Sequence, residues 1–158
     1  MIYLLDTNIF RKLLDHFPKQ GMLFEEIWDK IDQEINAGNL LSVDECFNEV
    51  ENHYSEDSDN YQWIKQRKSM FLNPTNEESL IIKELFKDRK MQESIHQKNI
   101  IIGRPSADIY LAAKAKALNA TLVTSEEFKP NSAQLPNICE KIGVDYISYD
   151  EFMKRITG

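Results

Sequence analysis

Sulfur and imidazole ligands are scarce in this sequence of 158 residues. Its two cysteines, Cys46 and Cys139, lie far apart and in no motif, which argues against a disulfide framework and against a thiolate zinc site. The three histidines, His16, His53 and His96, share no metal-ligand spacing. We therefore expect buried, unpaired cysteines and histidines at the surface.

Long apolar runs are absent as well. No stretch approaches the length that spans a bilayer, and the N-terminus lacks a basic region, a long apolar segment and a small-residue cleavage site. We therefore expect a cytoplasmic protein without a signal peptide or a membrane partner. The length and the ordinary hydrophobic content of 42% suit a single domain over residues 1–158.

Positively charged residues are also outnumbered in this sequence. The chain has 19 Lys and Arg residues against 26 Asp and Glu residues, which gives a net charge of -7. A broad basic platform for nucleic acid is therefore not expected. A nuclease is still compatible with this balance, because divalent cations bound at a cluster of carboxylates invert the local field.

The first ten residues organise the chain. The apolar run at residues 2–5 predicts a strand buried on both faces, and residues 9–17 are compatible with a helix. Between them lie Asp6, Thr7 and Asn8, whose side chains favour turns and helix starts. A carboxylate thus lies where a strand ends and a helix begins, the place where open α/β sheets bind ligands. The alternative is that Asp6 only caps the helix.

Strands and helices alternate along the rest of the chain. Apolar runs predict strands at Leu40–Val43, residues 121–124 and residues 144–148, while residues 100–103 fit either a strand or a buried turn. Apolar periodicity predicts helices at residues 22–35, Asp44–His53, residues 61–71, from Thr75 to about Gln97, from Asp108, at residues 136–142 and at residues 151–156. This alternation predicts an α/β fold with a parallel sheet.

Shorter signals mark the helix ends. The expected caps and stops are a Thr75/Glu78 capping box, Ser106 after Arg104 and Pro105, Asp150, and a first-helix stop at Pro18 and Gly21. The most basic stretch, residues 87–90, is interpreted mainly as a solvated helix face, with substrate contact as the alternative.

Acidic side chains follow several of the predicted strands. Asp6 and Glu126 follow strands directly, Glu49 lies in the helix after a strand, and Asp108 opens a helix. A parallel sheet brings such positions to one edge, where carboxylates repel each other unless they hold hard cations such as Mg²⁺ or Mn²⁺. Two such ions could activate a water and stabilise the leaving oxygen in phosphodiester cleavage. Glu45 shares a helix face with Glu49, and a solvated acidic face is the alternative for both.

The order of these motifs resembles the PIN domain superfamily, and within it the DUF4411-like family of VapC-like toxin nucleases. The resemblance is carried by Leu-Leu-Asp-Thr-Asn-Ile at residues 4–9, by residues 42–50, by Ala-Asp-Ile-Tyr-Leu-Ala-Ala-Lys-Ala at residues 107–115, by Leu-Val-Thr-Ser-Glu at residues 122–126, and by a tail at residues 136–144. It covers nearly the whole chain.

This resemblance implies a three-layer α/β/α sandwich with a central parallel sheet of four to five short strands. It also implies a Mg²⁺- or Mn²⁺-dependent endoribonuclease that hydrolyses RNA, as do the toxins of toxin–antitoxin pairs. The expected partners are an RNA substrate, a cognate antitoxin protein and a second copy in a homodimer. Carried over by position, the acidic metal site comprises Asp6, Glu49, Asp108 and Glu126, with Thr7, Asn8 and Thr124 in support.

The sequence departs from the family pattern at the fourth acid, which is often Asp and here is Glu126, with Glu127 beside it. The second acid is Glu49 or Glu45, and Glu49 is preferred because an apolar residue follows it. Two other function classes stay open. One is a non-catalytic PIN-like module that binds RNA or protein. The other is a phosphatase with Asp6 as nucleophile, which Asn8 disfavours because it replaces the second Asp of that motif.

Overall fold

Five short strands form a parallel sheet at the centre of the protein. They are β1 (Tyr3–Leu5), β2 (Leu40–Val43), β3 (Phe71–Leu72), β4 (Thr121–Val123) and β5 (Tyr146–Ile147). Their order across the sheet is β3-β2-β1-β4-β5, and all four neighbouring pairs are parallel. The structure, a computed structural model, describes residues 1–17, 19, 22–103 and 106–158.

Helices cover both faces of this sheet and complete a PIN-like α/β/α sandwich. In the described residues they are α1 (Thr7–His16), α2 (Met22–Asn36), α3 (Asp44–His53), α4 (Asp59–Gln66), α5 (Asn76–Leu85), α6 (Arg89–Ile102), α7 (Asp108–Leu118), α8 (Leu135–Ile142) and α9 (Tyr149–Thr157). In one set of helices, α7 packs against α5 and α8. In the other, α3 packs against α1 and α4, and α2 packs against α9. Among the described residues, no helix is both long and apolar enough to cross a membrane.

The core lies between the sheet and these helices. Leu4 and Leu122, neighbours on the two central strands, are fully buried, and each such side chain contributes about 1.5–3 kcal/mol of burial free energy. Helix α7 contacts β2 and β4 and buries Ala112 and Ala115, whose small side chains let its backbone approach the sheet closely. The sheet therefore places the first residue of α7, Asp108, near the ends of the central strands.

A buried ion pair joins α5 to α7. The Lys114 ammonium lies 2.8 Å from the Glu78 carboxylate and donates to the backbone carbonyl of Asn73 at 2.7 Å. The Thr75 hydroxyl donates to the same Glu78 carboxylate at 2.5 Å and accepts from the Glu78 backbone N–H at 3.3 Å. The expected cap by Thr75 is confirmed, but the reciprocal bond of a capping box is replaced, because the Glu78 carboxylate accepts from the Thr75 hydroxyl and pairs with the lysine of the neighbouring helix.

The helix predicted at residues 61–71 is wrong at its C-terminal end. Helix α4 ends at Gln66, a 3₁₀ turn covers Lys68–Met70, and Phe71–Leu72 is the edge strand β3. The Phe71 ring lies 5.1 Å from that of Phe10 and 5.3 Å from that of Phe47, measured between centroids. Packing against residues distant in sequence therefore determines this strand, and local periodicity does not report it.

The long helix predicted from Thr75 to about Gln97 is two helices. The Asp88 carboxylate accepts from the Met91 backbone N–H at 3.0 Å and so caps α6, and it pairs with Lys141 at 2.6 Å. The junction between α5 and α6 is residues 86–88, and Arg89 and Lys90 begin α6, so residues 87–90 are largely solvated as expected but do not form one continuous helix face. Residues 100–103 are neither a strand nor a buried turn, because Ile100 to Ile102 end α6 and Gly103, at φ +75°, terminates it.

Of the other local predictions, one is confirmed, one is wrong and the rest lie outside the described residues. Cys46 and Cys139 are free and buried, as expected. Asp150 is not the cap of the last helix, because the Ser148 hydroxyl accepts from the Glu151 backbone N–H at 3.2 Å and α9 begins at Tyr149. The expected helix stop at Pro18 and Gly21, and the Arg104-Pro105 part of the expected α7 entry, lie outside the described residues.

Candidate functional site

The strand order reverses between β1 and β4, and a groove opens at the carboxyl ends of these two strands. Asp6 follows β1 and Thr124 follows β4, and the Asp6 backbone N–H donates to the Val123 carbonyl at 3.2 Å. Parallel α/β sheets bind ligands at such a reversal, because the loops on either side diverge there. The groove has a volume of about 720 Å³ and is lined by residues of α1, α3, α6, α7 and the segment after β4.

Asp6 is both a helix cap and a member of this groove. One carboxylate oxygen accepts from the Thr7 backbone N–H at 2.7 Å, and the other accepts from the Thr124 hydroxyl at 3.2 Å. Burial, with smaller contributions from Asp108 and Glu126, raises the pKa of Asp6 to about 8, although both hydrogen bonds oppose this rise. Asp6 therefore caps α1 and also belongs to the acidic site, so its capping role does not exclude a role in the site.

Asp108 reaches the groove from the first turn of α7. Its backbone N–H donates to the Ser106 hydroxyl at 3.2 Å, but the N-cap of α7 is Ala107, which makes no side-chain cap hydrogen bond, so the prediction of Ser106 as the cap is wrong by one residue. Burial and the neighbouring Glu126 raise the pKa of Asp108 to about 6, while Lys98 and Ser106 act in the opposite direction. Asp108 is as buried as Asp6, since each residue is 5% exposed.

Glu126 comes from the segment after β4, as its position in sequence predicts. Its carboxylate accepts from the Leu135 backbone N–H at 2.6 Å, and its own backbone N–H donates to the Thr124 hydroxyl at 3.1 Å. Because the Thr124 hydroxyl also donates to Asp6, one threonine fixes the relative positions of two acids. This is a supporting arrangement of the kind expected for Thr124.

The structure brings three of the four expected acids together. One carboxylate oxygen from each of Asp6, Asp108 and Glu126 lies within 4.8 Å of the other two. In an octahedral Mg²⁺ site with oxygens at about 2.1 Å, cis ligands lie about 3.0 Å apart and trans ligands about 4.2 Å apart, so the three carboxylates would close by up to about 2 Å around the ion. Three oxygen donors with no nitrogen or sulfur also match the preference of Mg²⁺ and Mn²⁺. The residues present therefore fit a hard divalent cation.

Glu49 lines the same groove but is not one of the three oxygens that lie close together. Its carboxylate accepts a hydrogen bond of 2.5 Å from the Thr7 hydroxyl, so Thr7 connects it to the residue next to Asp6. Glu45 lines the groove too, and burial together with the neighbouring Asp44 raises its pKa to about 7. Both candidates for the second acid therefore face the site, and only Glu49 is joined to it through Thr7.

Two further predicted residues are peripheral. Asn8 is exposed at the groove, and among the described residues its side chain makes no hydrogen bond to a carboxylate. Glu127 is exposed and lies in a separate depression formed with Lys12 and Tyr149.

Sequence reasoning missed Lys98, which the structure places against the acids. Its ammonium contacts the Asp108 carboxylate at short range, the two Glu126 oxygens at 3.2 and 3.4 Å, and the Ala133 carbonyl at 3.4 Å. Burial acts to lower the pKa of Lys98, but Asp108 and Glu126 outweigh it and raise this pKa above its ordinary value. The expected helix ended at about Gln97, and no local motif distinguishes the lysine that follows.

The fold is therefore that of a PIN-like α/β protein with acidic side chains at the strand reversal. It is similar to two solved structures. VapBC-1 from nontypeable Haemophilus influenzae matches at 20% identity and a TM-score of 0.52, over 95% of this chain and 99% of that chain. VapBC2 from Rickettsia felis, bound to a DNA fragment from its promoter, matches at 19% identity and a TM-score of 0.51, over 94% of this chain and 98% of that chain.

The family is defined by sequence. The family model described as "Domain of unknown function (DUF4411)" matches residues 3–157, and the chain belongs to this family. A search among curated proteins finds no match.

Proposed function

We propose that this protein is a Mg²⁺- or Mn²⁺-dependent endoribonuclease in which Asp6, Asp108 and Glu126 hold the metal. The observation that carries the proposal is the convergence of these three carboxylates, within 4.8 Å, at the strand reversal. Glu49 is assigned as the fourth acid, since it faces the same groove and is joined to the site through Thr7.

Electrostatics supports a cation at this position. Asp6 and Asp108 are both buried, and two carboxylates brought together with a third repel each other as they ionise. Burial first, and repulsion by the neighbouring acids second, raise the pKa values of Asp6 and Asp108. A helix cap requires only Asp6 and gives no reason for Asp108 and Glu126 to converge on it. A divalent cation among these oxygens offsets the repulsion.

The chain's own residues can be assigned roles around the metal. Thr124 positions Asp6 and Glu126, and Thr7 positions Glu49. The bound ion would supply charge stabilisation and water activation for phosphodiester hydrolysis. Arg11 lines the groove beside the acids and offers hydrogen-bond donors to a substrate phosphate, which the net charge of the whole chain does not reveal.

We extend the proposal to a toxin that binds a cognate antitoxin protein. Its support is the likeness in fold to two VapBC structures together with apolar surface near the groove. Ile100 and Ile101 are 66% and 83% exposed at the end of α6, and Ile102 in the same turn lines the groove. A partner that covers these isoleucines would lie next to the acids, where it could control access. A homodimer stays a prediction.

Amide variants of two site acids, with a neighbouring glutamate as the control, test the catalytic proposal. RNA cleavage by Glu126→Gln and by Asp108→Asn is expected to fall at least about 100-fold in the presence of Mn²⁺, the loss typical when one transition-state-stabilising group is removed. Glu127→Gln makes the same chemical change at the next residue, outside the groove, and is expected to cleave like wild type. The measurement is the initial rate on a fluorescent RNA pool, with circular dichroism melting to show that each variant is folded.

Two results would contradict the assignment. Full cleavage by folded Glu126→Gln and Asp108→Asn would remove these acids from the site. Absence of Mn²⁺ binding by the wild type in calorimetry would favour the second candidate function, a non-catalytic module that binds RNA or protein. The net charge of -7 and the exposed isoleucines favour the protein-binding form of that candidate, and neither feature is required for hydrolysis.

A further inference from the structure

The acid cluster already contacts a cation that belongs to the chain. An ammonium group has three N–H donors, and the partners of Lys98 are the Asp108 carboxylate, the Glu126 carboxylate and the Ala133 carbonyl. The Lys98 side chain is 19% exposed, so it reaches the groove through a largely buried path. This lysine therefore neutralises part of the charge that the three acids bring together.

The lysine is held in place by its own helix turn. The next residue, Asn99, accepts from the Ser106 backbone N–H at 2.9 Å, which ties the last turn of α6 to the residues that start α7. The Ser106 hydroxyl in turn accepts from the Asp108 backbone N–H at 3.2 Å. The contact between Lys98 and Asp108 is thus supported by a second link between the same two segments.

The ammonium uses the same carboxylates that the metal proposal requires. Asp108 and Glu126 each hydrogen-bond to Lys98, and each also contributes an oxygen to the close group of three, whereas no contact from Lys98 to Asp6 is present in the described residues. A divalent cation at these oxygens and an ammonium hydrogen-bonded to them would repel each other at short range. The long, flexible lysine side chain can move its charged end into the open groove with little change in the backbone.

We infer that Lys98 is a built-in counter-cation of the acid cluster, which stabilises the metal-free site and is displaced when a divalent cation binds. The inference rests on the proposed metal site. On this inference, the metal affinity is the attraction between the carboxylates and the metal minus the cost of breaking the hydrogen bonds of Lys98. Lys98 thereby sets the metal concentration at which the site fills.

Calorimetric titration with MnCl₂ tests the displacement. Lys98→Met removes the charge and keeps a flexible chain, and it is expected to bind Mn²⁺ at least about tenfold tighter than wild type, because no charge-assisted hydrogen bonds have to be broken. Without metal, its melting temperature is expected to fall below that of wild type. Lys90→Met is the matched control, since Lys90 is an exposed lysine of the same helix and changes the net charge equally.

A second measurement uses the wild type and does not depend on how the variant folds. Amine-reactive labelling followed by peptide mass spectrometry reports the accessibility of each lysine. Labelling of Lys98 is expected to be slow without metal and to rise several-fold when Mn²⁺ is added, while labelling of Lys90 stays constant.

The outcomes separate this inference from the proposed function. Wild type and Lys98→Met that bind Mn²⁺ equally, or weaker binding by the variant, would overturn the displacement and leave the metal site intact. Labelling of Lys98 that does not rise with Mn²⁺ would also overturn it. Binding by Lys98→Met alone would overturn displacement in the wild type, because Lys98 would then exclude the metal and not give way to it. No Mn²⁺ binding by either protein would overturn both the metal site and the inference.

Discussion

Replacement of Lys114 by methionine is expected to destabilise the protein strongly. The Lys114 and Glu78 side chains are 3% and 2% exposed, and their 2.8 Å contact is the link between α5 and α7. The variant leaves the Glu78 carboxylate buried with the Thr75 hydroxyl as a partner but without a cation. Loss of one member of a buried ion pair costs about 3–5 kcal/mol. In a chain of this size, each kcal/mol of lost stability lowers the melting temperature by about 2–4 °C. The melting temperature of Lys114→Met should therefore fall by about 6–20 °C.

A surface pair provides the comparison for this prediction. Lys87→Met makes the same substitution in the Lys87–Glu84 pair, whose side chains are 71% and 73% exposed, and should cost less than about 1 kcal/mol. Differential scanning calorimetry measures both variants at one pH. The double variant Glu78→Leu/Lys114→Met should recover much of the loss, because no unpaired charge stays buried. Equal shifts for Lys114→Met and Lys87→Met would refute the reasoning.

Two further predictions concern pH and helix capping. Because the pKa of Asp6 is raised to about 8 and that of Asp108 to about 6, the folded metal-free protein keeps protons that the unfolded chain releases above about pH 4. These two groups should therefore lower the melting temperature as pH rises from 5 to 8, and Asp6→Asn should reduce the decline; an unchanged decline in that variant would contradict the assignment. Ser148→Ala should lower stability by about 1 kcal/mol, since its hydroxyl caps α9, whereas Asp150→Asn should change little. Chemical denaturation of both variants checks this, and a larger effect at Asp150 would reverse the assignment of the cap.

Elements with strong local signals were predicted closely from the sequence. The bounds of β2 at Leu40–Val43 and of α3 at Asp44–His53 agree with the structure, since an apolar run and an amphipathic pattern define them without help from distant residues. The two-residue strand Phe71–Leu72 could not be found in this way, because it exists only through pairing with β2 and packing of Phe71 on distant rings. The break at Asp88 was missed because the four charged residues at 87–90 are also compatible with the solvated face of one continuous helix.

The same distinction between local signals and contacts with distant residues applies to the site. Asp6 and Glu126 could be placed because each follows a strand, and a parallel sheet brings strand ends to one edge. Asp108 could be placed because it opens the helix that precedes β4. Lys98 could not, since its position depends on how the last turn of α6 packs against α7, and a single lysine in a polar helix carries no periodic signal.

The sheet ends on each side in a strand of only two residues, Phe71–Leu72 and Tyr146–Ile147. Such edges present too few free backbone groups to pair with a strand from another molecule, and natural proteins use short edge strands to prevent aggregation. The short edges therefore disfavour recognition by strand addition. For a protein partner, this leaves the helices and loops as the favoured docking surface, and they include the residues that line the groove.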